Sequence, residues 1–286
     1  MMNNLLLSKK AKSIQRLQNS QSFLTCPICQ SLMSVSQSGT TCRQNHHFDI
    51  TKKGYVNLSL AKGDKSYDYT LFDARKMMVQ AGIFDKLIDQ IIQIMNLKST
   101  HSSSYSLLDA GCGEGNFIIK LLQGLNHHPL HVFGVDLAKD AITRATNEDS
   151  DVNWIVADLA KLPLQSNTLD VVINVLSPAN YQQFKRVLKK EGLFIKVVPN
   201  SEHFKQLREA LGMPHLEADY AQQTIAHLKE NMDLKREIPF RYDFAIENHQ
   251  QEVIQLMSPL SKHPLKESST PLSHITIDVV ILVAHA

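Results

Sequence analysis

From residue 106 onward the chain alternates short apolar runs with amphipathic stretches. "SLLDAG", "HVFGVD", "NWIVAD", "LDVVINVLS" and "GLFIKVVP" have strand length, and 115–124, 138–147 and 180–190 between them have helical spacing. This alternation predicts a parallel-dominated sheet with helices on both faces. Gly192 is expected to turn the chain from the helix over 180–190 into the next strand. Further on, a helix over 201–211 and two strands, near "IPFRYDFAI" and "ITIDVVILVA", bring the expected sheet to seven strands. Upstream, "FDKLIDQIIQIMN" places Phe84, Leu87, Ile88, Ile91, Ile92 and Met95 on one helical face, and "KSTHSSSY", 98–105, reads as a loop. Ile14 and Leu17 would share a face if residues 1–22 are helical; a loose arm is the other reading. The expected organisation is an N-terminal arm 1–22, a Cys/His module 23–60, a connecting helical region 61–97 and an α/β domain 98–286.

The bulk numbers narrow the class only a little. Apolar residues make up 43% and charged residues 20% of 286 residues, as in an ordinary globular protein. The net charge of +2 means that any nucleic-acid surface must be a local patch. The longest apolar stretch, "ITIDVVILVAHA", is interrupted by Asp278 and is too short to span a bilayer. No secretory signal is read at the N-terminus. The expectation is a cytoplasmic protein, in which clustered cysteines act as metal ligands rather than disulfides.

"LLDAGCGEGNF" lies between the first strand and its helix, where doubly wound folds bind ligands. Its glycines, Gly111, Gly113 and Gly115, are spaced G-x-G-x-G, with Asn116 where a dinucleotide fingerprint would need glycine. Asp109 beside them suits a cationic ligand better than a pyrophosphate. S-adenosylmethionine is such a ligand, and its methionyl part can lie on the glycine backbone. Asp136 ends the next strand, with Leu137 after it, and is placed to accept the ribose hydroxyls. Asp158 ends the third strand, placed for the adenine amino group, with the Leu159 N–H facing the ring. Taken alone, Asp158 could equally be a solvated or capping residue, Asp136 less so. Together with the loop they resemble a class I (Rossmann-like) methyltransferase core. Cys112, inside the turn, is read as a buried filler rather than a nucleophile.

Cys26-x2-Cys29 and, after twelve residues, Cys42-x3-His46 have the spacing of a closed tetrahedral site, which makes the metal, zinc, structural. His47 competes with His46 as the fourth ligand. A DNA-reading finger has similar spacing, but the intervening "QSLMSVSQSGTT" carries no charge for a recognition helix.

The pattern C-x2-C, C-x3-H-x-F-D and "KKGYVNLSL", followed by "LLDAGCGEGNF" and "NVLSPAN", resembles the 23S ribosomal RNA (guanine-N1)-methyltransferase family, RlmA, from about residue 23 through 211. The resemblance implies Cys26, Cys29, Cys42 and His46 as zinc ligands and Gly113 and Glu114 at the cofactor. It also implicates Phe84, where some relatives carry Tyr, and His203 of "PNSEHF". It implies a guanine in a hairpin loop of domain II of 23S RNA as the target, and a homodimer; "NVLSPAN" and the N-terminal arm look more like the Gram-positive type. Asn174, Ser177 and Pro178 are the candidates for orienting the base, with Asn174 alternatively tying the loop to the sheet. No general base is identified. Lys52, Lys53, Lys62, Lys65, Arg75 and Lys76 are candidates for phosphate contact, with Arg75 an alternative partner for the donor's carboxylate. The rival readings are a small-molecule (quinone or lipid) methyltransferase, which needs no zinc module, and a non-catalytic zinc-containing RNA-binding protein.

Overall fold

The computed structural model describes residues 7–60, 69–98, 105–148, 150–217, 219–257 and 271–286. Lys62, Lys65 and most of the Ser-rich stretch lie outside the described residues.

The chain opens with α1 (Lys9–Asn19), whose first turn is capped by the Ser8 hydroxyl accepting from the Ala11 N–H. Ile14 and Leu17 are buried, so the first segment is a docked helix rather than a loose arm. Next comes a small antiparallel sheet of β1 (Met33–Ser36), β2 (Gly39–Cys42) and β3 (His47–Phe48). The stretch between the cysteine pairs is therefore a hairpin, which removes the recognition-helix reading.

Among the described residues the main sheet has eight strands, not the seven expected. In chain order they are β4 (Tyr55–Asn57), β5 (Ser106–Ala110), β6 (His131–Asp136), β7 (Val152–Val156), β8 (Leu169–Val175), β9 (Leu188–Pro199), β10 (Asp233–Ala245) and β11 (His274–His285). Their order across the sheet is β10-β11-β9-β8-β5-β6-β7-β4. β11 runs antiparallel to both β10 and β9, and the other described pairs of this sheet are parallel. The additional strand is β4, from the end of the Cys/His segment, which pairs with β7 through Tyr55↔Trp154, Val56↔Ile155 and Asn57↔Val156.

Both sheet faces are covered, which is why the central strands read as unbroken apolar runs. On one face, side chains of α3 (Asp85–Lys98), α4 (Asn116–Gly124), α5 (Lys139–Ala145), α7 (Lys205–Ala210) and α9 (Gln251–Leu256), with those of α2 (Tyr69–Gln80), share a core with alternate strand residues. On the other, α1, the small sheet, α6 (Tyr181–Val187) and α8 (Tyr220–Asn231) do the same. Leu24, Met33, Val35 and Ile50 belong to the same core as Phe133, Ile155 and Leu164.

Two local expectations are corrected. The helix read over 180–190 ends at Val187, and β9 starts at Leu188. Gly192 then lies inside β9, where the register jumps from Leu169↔Leu188 to Val171↔Leu193; it is a bulge residue, not a helix cap. The helix read over 201–211 is confined to Lys205–Ala210, because 201–204 form a turn with Phe204 at φ 57°. The α8 helix was not anticipated.

Candidate donor and metal sites

The chain leaves β5 and then fills β6 and β7 on one side and β8 and β9 on the other. The glycine loop thus sits at the switch point of the sheet. Gly111 has φ 83°, and a Cβ there would meet the Ser177 Oγ at 2.0 Å. This close approach seats the β8 loop directly on the glycine loop. Gly113 has φ 55°, and its Cβ would meet nothing nearer than the Arg75 Nη1 at 4.0 Å. The ring of Trp154 fills the space beside Gly115 and Gly134.

Three carboxyl groups converge here. Asp136 accepts from the Gly113 N–H at 2.9 Å (Oδ2) and from the Ala138 N–H at 2.8 Å (Oδ1). Asp109 is buried, and burial, with the charges of Asp136 and Glu114, pushes its carboxyl up to about 8. Glu114 is also buried and held above the usual carboxylate range by burial, partly offset by the Arg75 guanidinium. Crowded acids beside an open glycine cradle suit a ligand bearing positive charge, as S-adenosylmethionine does.

Other expected residues fall around this centre. Asn116 is buried in the first turn of α4, and its side chain donates to the Glu114 C=O at 3.5 Å. Phe84 is buried edge-on against Phe117 of the same turn, 6.1 Å between centroids. Leu137 is exposed just after Asp136, and Leu159 faces Gly111. Asp158 is exposed, and its Oδ1 caps the following turn by accepting from the Ala160 N–H at 2.8 Å. His203 is buried and stacked on Phe204 at 4.5 Å; its Nδ1 has no hydrogen-bond partner, and burial, with the Arg208 charge, lowers its pKa to about 4, so the imidazole is neutral. Cys112 is buried and its thiol pushed well up by burial, as a filler should be.

Asn174 does not reach out to a base. It is fully buried, and its Nδ2 donates to the Ala110 C=O (2.6 Å) and the Pro178 C=O (3.2 Å) while its Oδ1 accepts from Lys196 (2.6 Å). Direct contact with the guanine edge is thereby corrected to loop anchoring. Ser177 and Pro178 remain at the surface of the loop. Lys52 and Lys53 are exposed in the turn before β4; since β4 runs parallel to β7, that turn lies at the opposite end of the strands from the glycine loop. Lys76 is ion-paired with Glu148, and the Arg75 Nε donates to the Met257 C=O at 3.0 Å. The Arg75 Nη1 stands 4.0 Å from where a Gly113 Cβ would lie, so Arg75 flanks the glycine loop. Sequence reading missed Trp154 and Lys196; a lysine inside the apolar run "GLFIKVVP" was the available signal.

The metal site is built from two similar turns. Gln30 and Asn45, both at φ 62°, close them, with Gln30 N–H donating to Cys26 C=O and Asn45 N–H to Cys42 C=O. The ligand atoms of Cys26, Cys29, Cys42 and His46 lie within 4.8 Å of one another. Cys29 Sγ–Cys42 Sγ is 3.6 Å, and His46 Nδ1 is 3.5 Å from both Cys26 Sγ and Cys42 Sγ. An S–S tetrahedral edge around zinc is about 3.8 Å, so the four donors fit the ion and leave it no open position. His47 faces away, bonded to the Thr41 hydroxyl at 2.8 Å.

The Asp109 carboxyl gives a pH prediction. It ionises near 4 in an open chain and at about 8 in the fold. The fold favours the protonated form, so this contribution to stability is complete below pH ~4 and is lost as pH rises through about 8. The melting temperature of donor-free protein should fall by several degrees between pH 6 and 8.5, at roughly 2–4 °C per kcal/mol. Asp109→Asn should flatten that fall, and a melting series in both proteins checks it.

These features define a class I S-adenosylmethionine-dependent methyltransferase carrying one structural zinc. Residues 101–260 match the family model described as a methyltransferase domain, and residues 24–63 match the one described as RlmA, N-terminal. A Bacillus subtilis (strain 168) protein named for 23S rRNA (guanine-N1)-methyltransferase activity, YxjB, is 32% identical over 273 residues, covering 92% of this chain and 96% of its own. The 23S rRNA (guanine(748)-N1)-methyltransferase of Streptomyces fradiae is 26% identical, over 72% of this chain and 75% of its own. The chain belongs to the RlmA family of 23S rRNA (guanine-N1)-methyltransferases.

Proposed function

We propose that the chain methylates N1 of a guanine in a hairpin loop of domain II of 23S ribosomal RNA. The observation that carries this reading is the similarity of nearly the whole chain to YxjB, zinc ribbon included. Bound S-adenosylmethionine supplies a sulfonium methyl, whose transfer breaks the S–C bond, forms an N1–C bond and requires the N1 proton to leave. The chain's own groups bind and orient. Asp109, Glu114 and Asp136 hold the cationic donor, Asp136 and Asp158 face its nucleoside, and His203 offers its unpartnered Nδ1. The loop carrying Ser177 and Pro178 receives the base, unstacked from its RNA loop at modest cost. The zinc ribbon contributes to holding the folded RNA. The Streptomyces relative, named for guanine 748, supports the corresponding guanine as the target.

Among the described residues no helix is long and apolar enough to cross a membrane. The reading places the enzyme in the cytoplasm with its RNA, as the homodimer the resemblance implies, which sedimentation would check. The deciding experiment is methyl transfer to unmodified 23S RNA, read by reverse-transcriptase stops. An N1-methyl blocks pairing, so a stop in the domain II hairpin is expected. Incorporation without that stop would move the reaction to another atom or site, and no incorporation into RNA or ribosomal particles would return the small-molecule reading.

A further inference from the structure

Lys196 lies in the middle of β9 at 4% exposure, inside an otherwise apolar run. Its Nζ donates to the Asn174 Oδ1 at 2.6 Å and the Ser177 C=O at 2.9 Å. No salt bridge reaches it among the described residues. Burial pushes its pKa down to about 8. An apolar residue would fill the same space without desolvating an ammonium.

The two acceptors of Lys196 explain its place. Asn174 carries the tie onward to the Ala110 C=O, just before Gly111, and to the Pro178 C=O. One ammonium and one amide thus join β5, β8, β9 and both sides of the loop between Val175 and Asn180. That loop holds Leu176 at φ 50°, a left-handed conformation that leucine keeps only where its surroundings over-determine it. The same loop presses Ser177 on Gly111. Leu176 itself is 37% exposed at the carboxyl end of the sheet.

We infer that Lys196 is a positioning residue for the methyl acceptor: through Asn174 and the Ser177 carbonyl it fixes the Leu176–Pro178 loop against Gly111, so that Leu176 and the Ser177 hydroxyl meet the base at a set distance from the donor. The inference rests on the RNA-methylation reading above. It predicts a separation that a purely structural lysine would not show. The donor lies on the glycine loop and its acids, which Lys196 does not touch, so donor affinity is kept while the chemical step suffers.

The test uses full-length, zinc-loaded wild type, Lys196→Met and Lys196→Gln. Donor Kd is measured by calorimetry, and kcat and KM are measured on unmodified 23S RNA with the reverse-transcriptase readout. Lys196→Met should keep donor Kd within about twofold and lose on the order of 10²-fold in kcat, the scale of a small misplacement of reacting groups. Lys196→Gln, which keeps an N–H donor, should fall between and serves if the methionine variant does not fold. Wild-type kcat in the folded variant would overturn the inference, even if its melting temperature falls. So would a donor Kd that weakens in parallel with kcat. A wild type that gives no product on 23S RNA would sink the substrate reading and the inference with it; an active wild type matched by an equally active variant would sink the inference alone.

Discussion

Removing zinc by chelation, or replacing Cys42 with serine, is expected to unfold residues 24–58 and to abolish methyl transfer. Structural zinc contributes an apparent ~10–16 kcal/mol of folding free energy in zinc-finger peptides, comparable to the whole stability of an ordinary domain, about 5–15 kcal/mol. The ribbon has no core of its own to fall back on. Leu24, Met33, Val35, Ile50 and Val56 are buried with Phe133, Ile155 and Leu164 of the methyltransferase domain. The ribbon is also stitched to that domain by Thr25 N–H to Pro163 C=O (3.0 Å), Gln165 N–H to Phe23 C=O (2.7 Å) and the β4–β7 pairing. Trp154, the chain's one tryptophan, pairs with Tyr55 and packs its ring on Gly115. Its fluorescence therefore reports loss of the ribbon at the edge of the donor site. Zinc content, Trp154 emission and donor Kd should change together. His46→Ala should reproduce the loss, while His47→Ala should leave zinc bound. A zinc-free Cys42→Ser protein with unchanged melting temperature and donor affinity would show the ribbon to be an independent appendage.

That coupling marks the boundary of what the sequence discloses. The strands β5 to β9 were legible because burial on both faces makes each an unbroken apolar run, and the glycine loop because its φ values tolerate few other residues. The Cys3His site was legible because ligand chemistry fixes residue type and spacing. β4 was not. "YVN" is three residues long, and its partner, β7, lies about a hundred positions away, so nothing local distinguishes it from the loop after a zinc knuckle. The helix end at Val187 was missed because Leu188 and Lys189 continue a plausible helical pattern, and only pairing with Leu169 draws Leu188 into the sheet.

The acceptor side shows the same division. "NVLSPAN" pointed to a loop that does sit on the glycine loop, yet the bonds inside it depend on a lysine on another strand. Asn174 looks like a base-reading amide in one dimension. In three, Lys196 and the Ala110 carbonyl have already taken it. The acids at or near the carboxyl ends of β5, β6 and β7 were easier to group, because parallel strands bring such ends together without further information. Asp158, two residues beyond β7, also serves as a cap, its Oδ1 accepting from the Ala160 N–H.

Two neighbouring glycines should fail in different ways when changed to alanine. At Gly111 the new methyl meets the Ser177 Oγ at 2.0 Å and its Cβ at 2.7 Å. Ser177 cannot retreat without moving a loop held by Asn174 and Lys196, so the strain spreads into the sheet. Overpacking of this kind typically costs about 1–3 kcal/mol, and a left-handed alanine adds roughly 1–2 kcal/mol. Gly111→Ala should therefore melt several degrees lower and lose transfer by on the order of 10²-fold or more, as the acceptor loop is pushed off the glycine loop. At Gly113 nothing lies nearer than the Arg75 Nη1 at 4.0 Å, and only the left-handed backbone resists. Gly113→Ala should keep most of its melting temperature. Its methyl instead projects into the space over the loop proposed to hold the donor's methionyl part, and donor Kd should weaken by on the order of 10²-fold, about 2.7 kcal/mol. Melting curves and calorimetry on the two variants check this. Full donor affinity in Gly113→Ala would mean that the donor does not lie on this face of the loop. Wild-type transfer in Gly111→Ala would mean that the contact between Ser177 and the glycine loop does not set the distance between donor and acceptor.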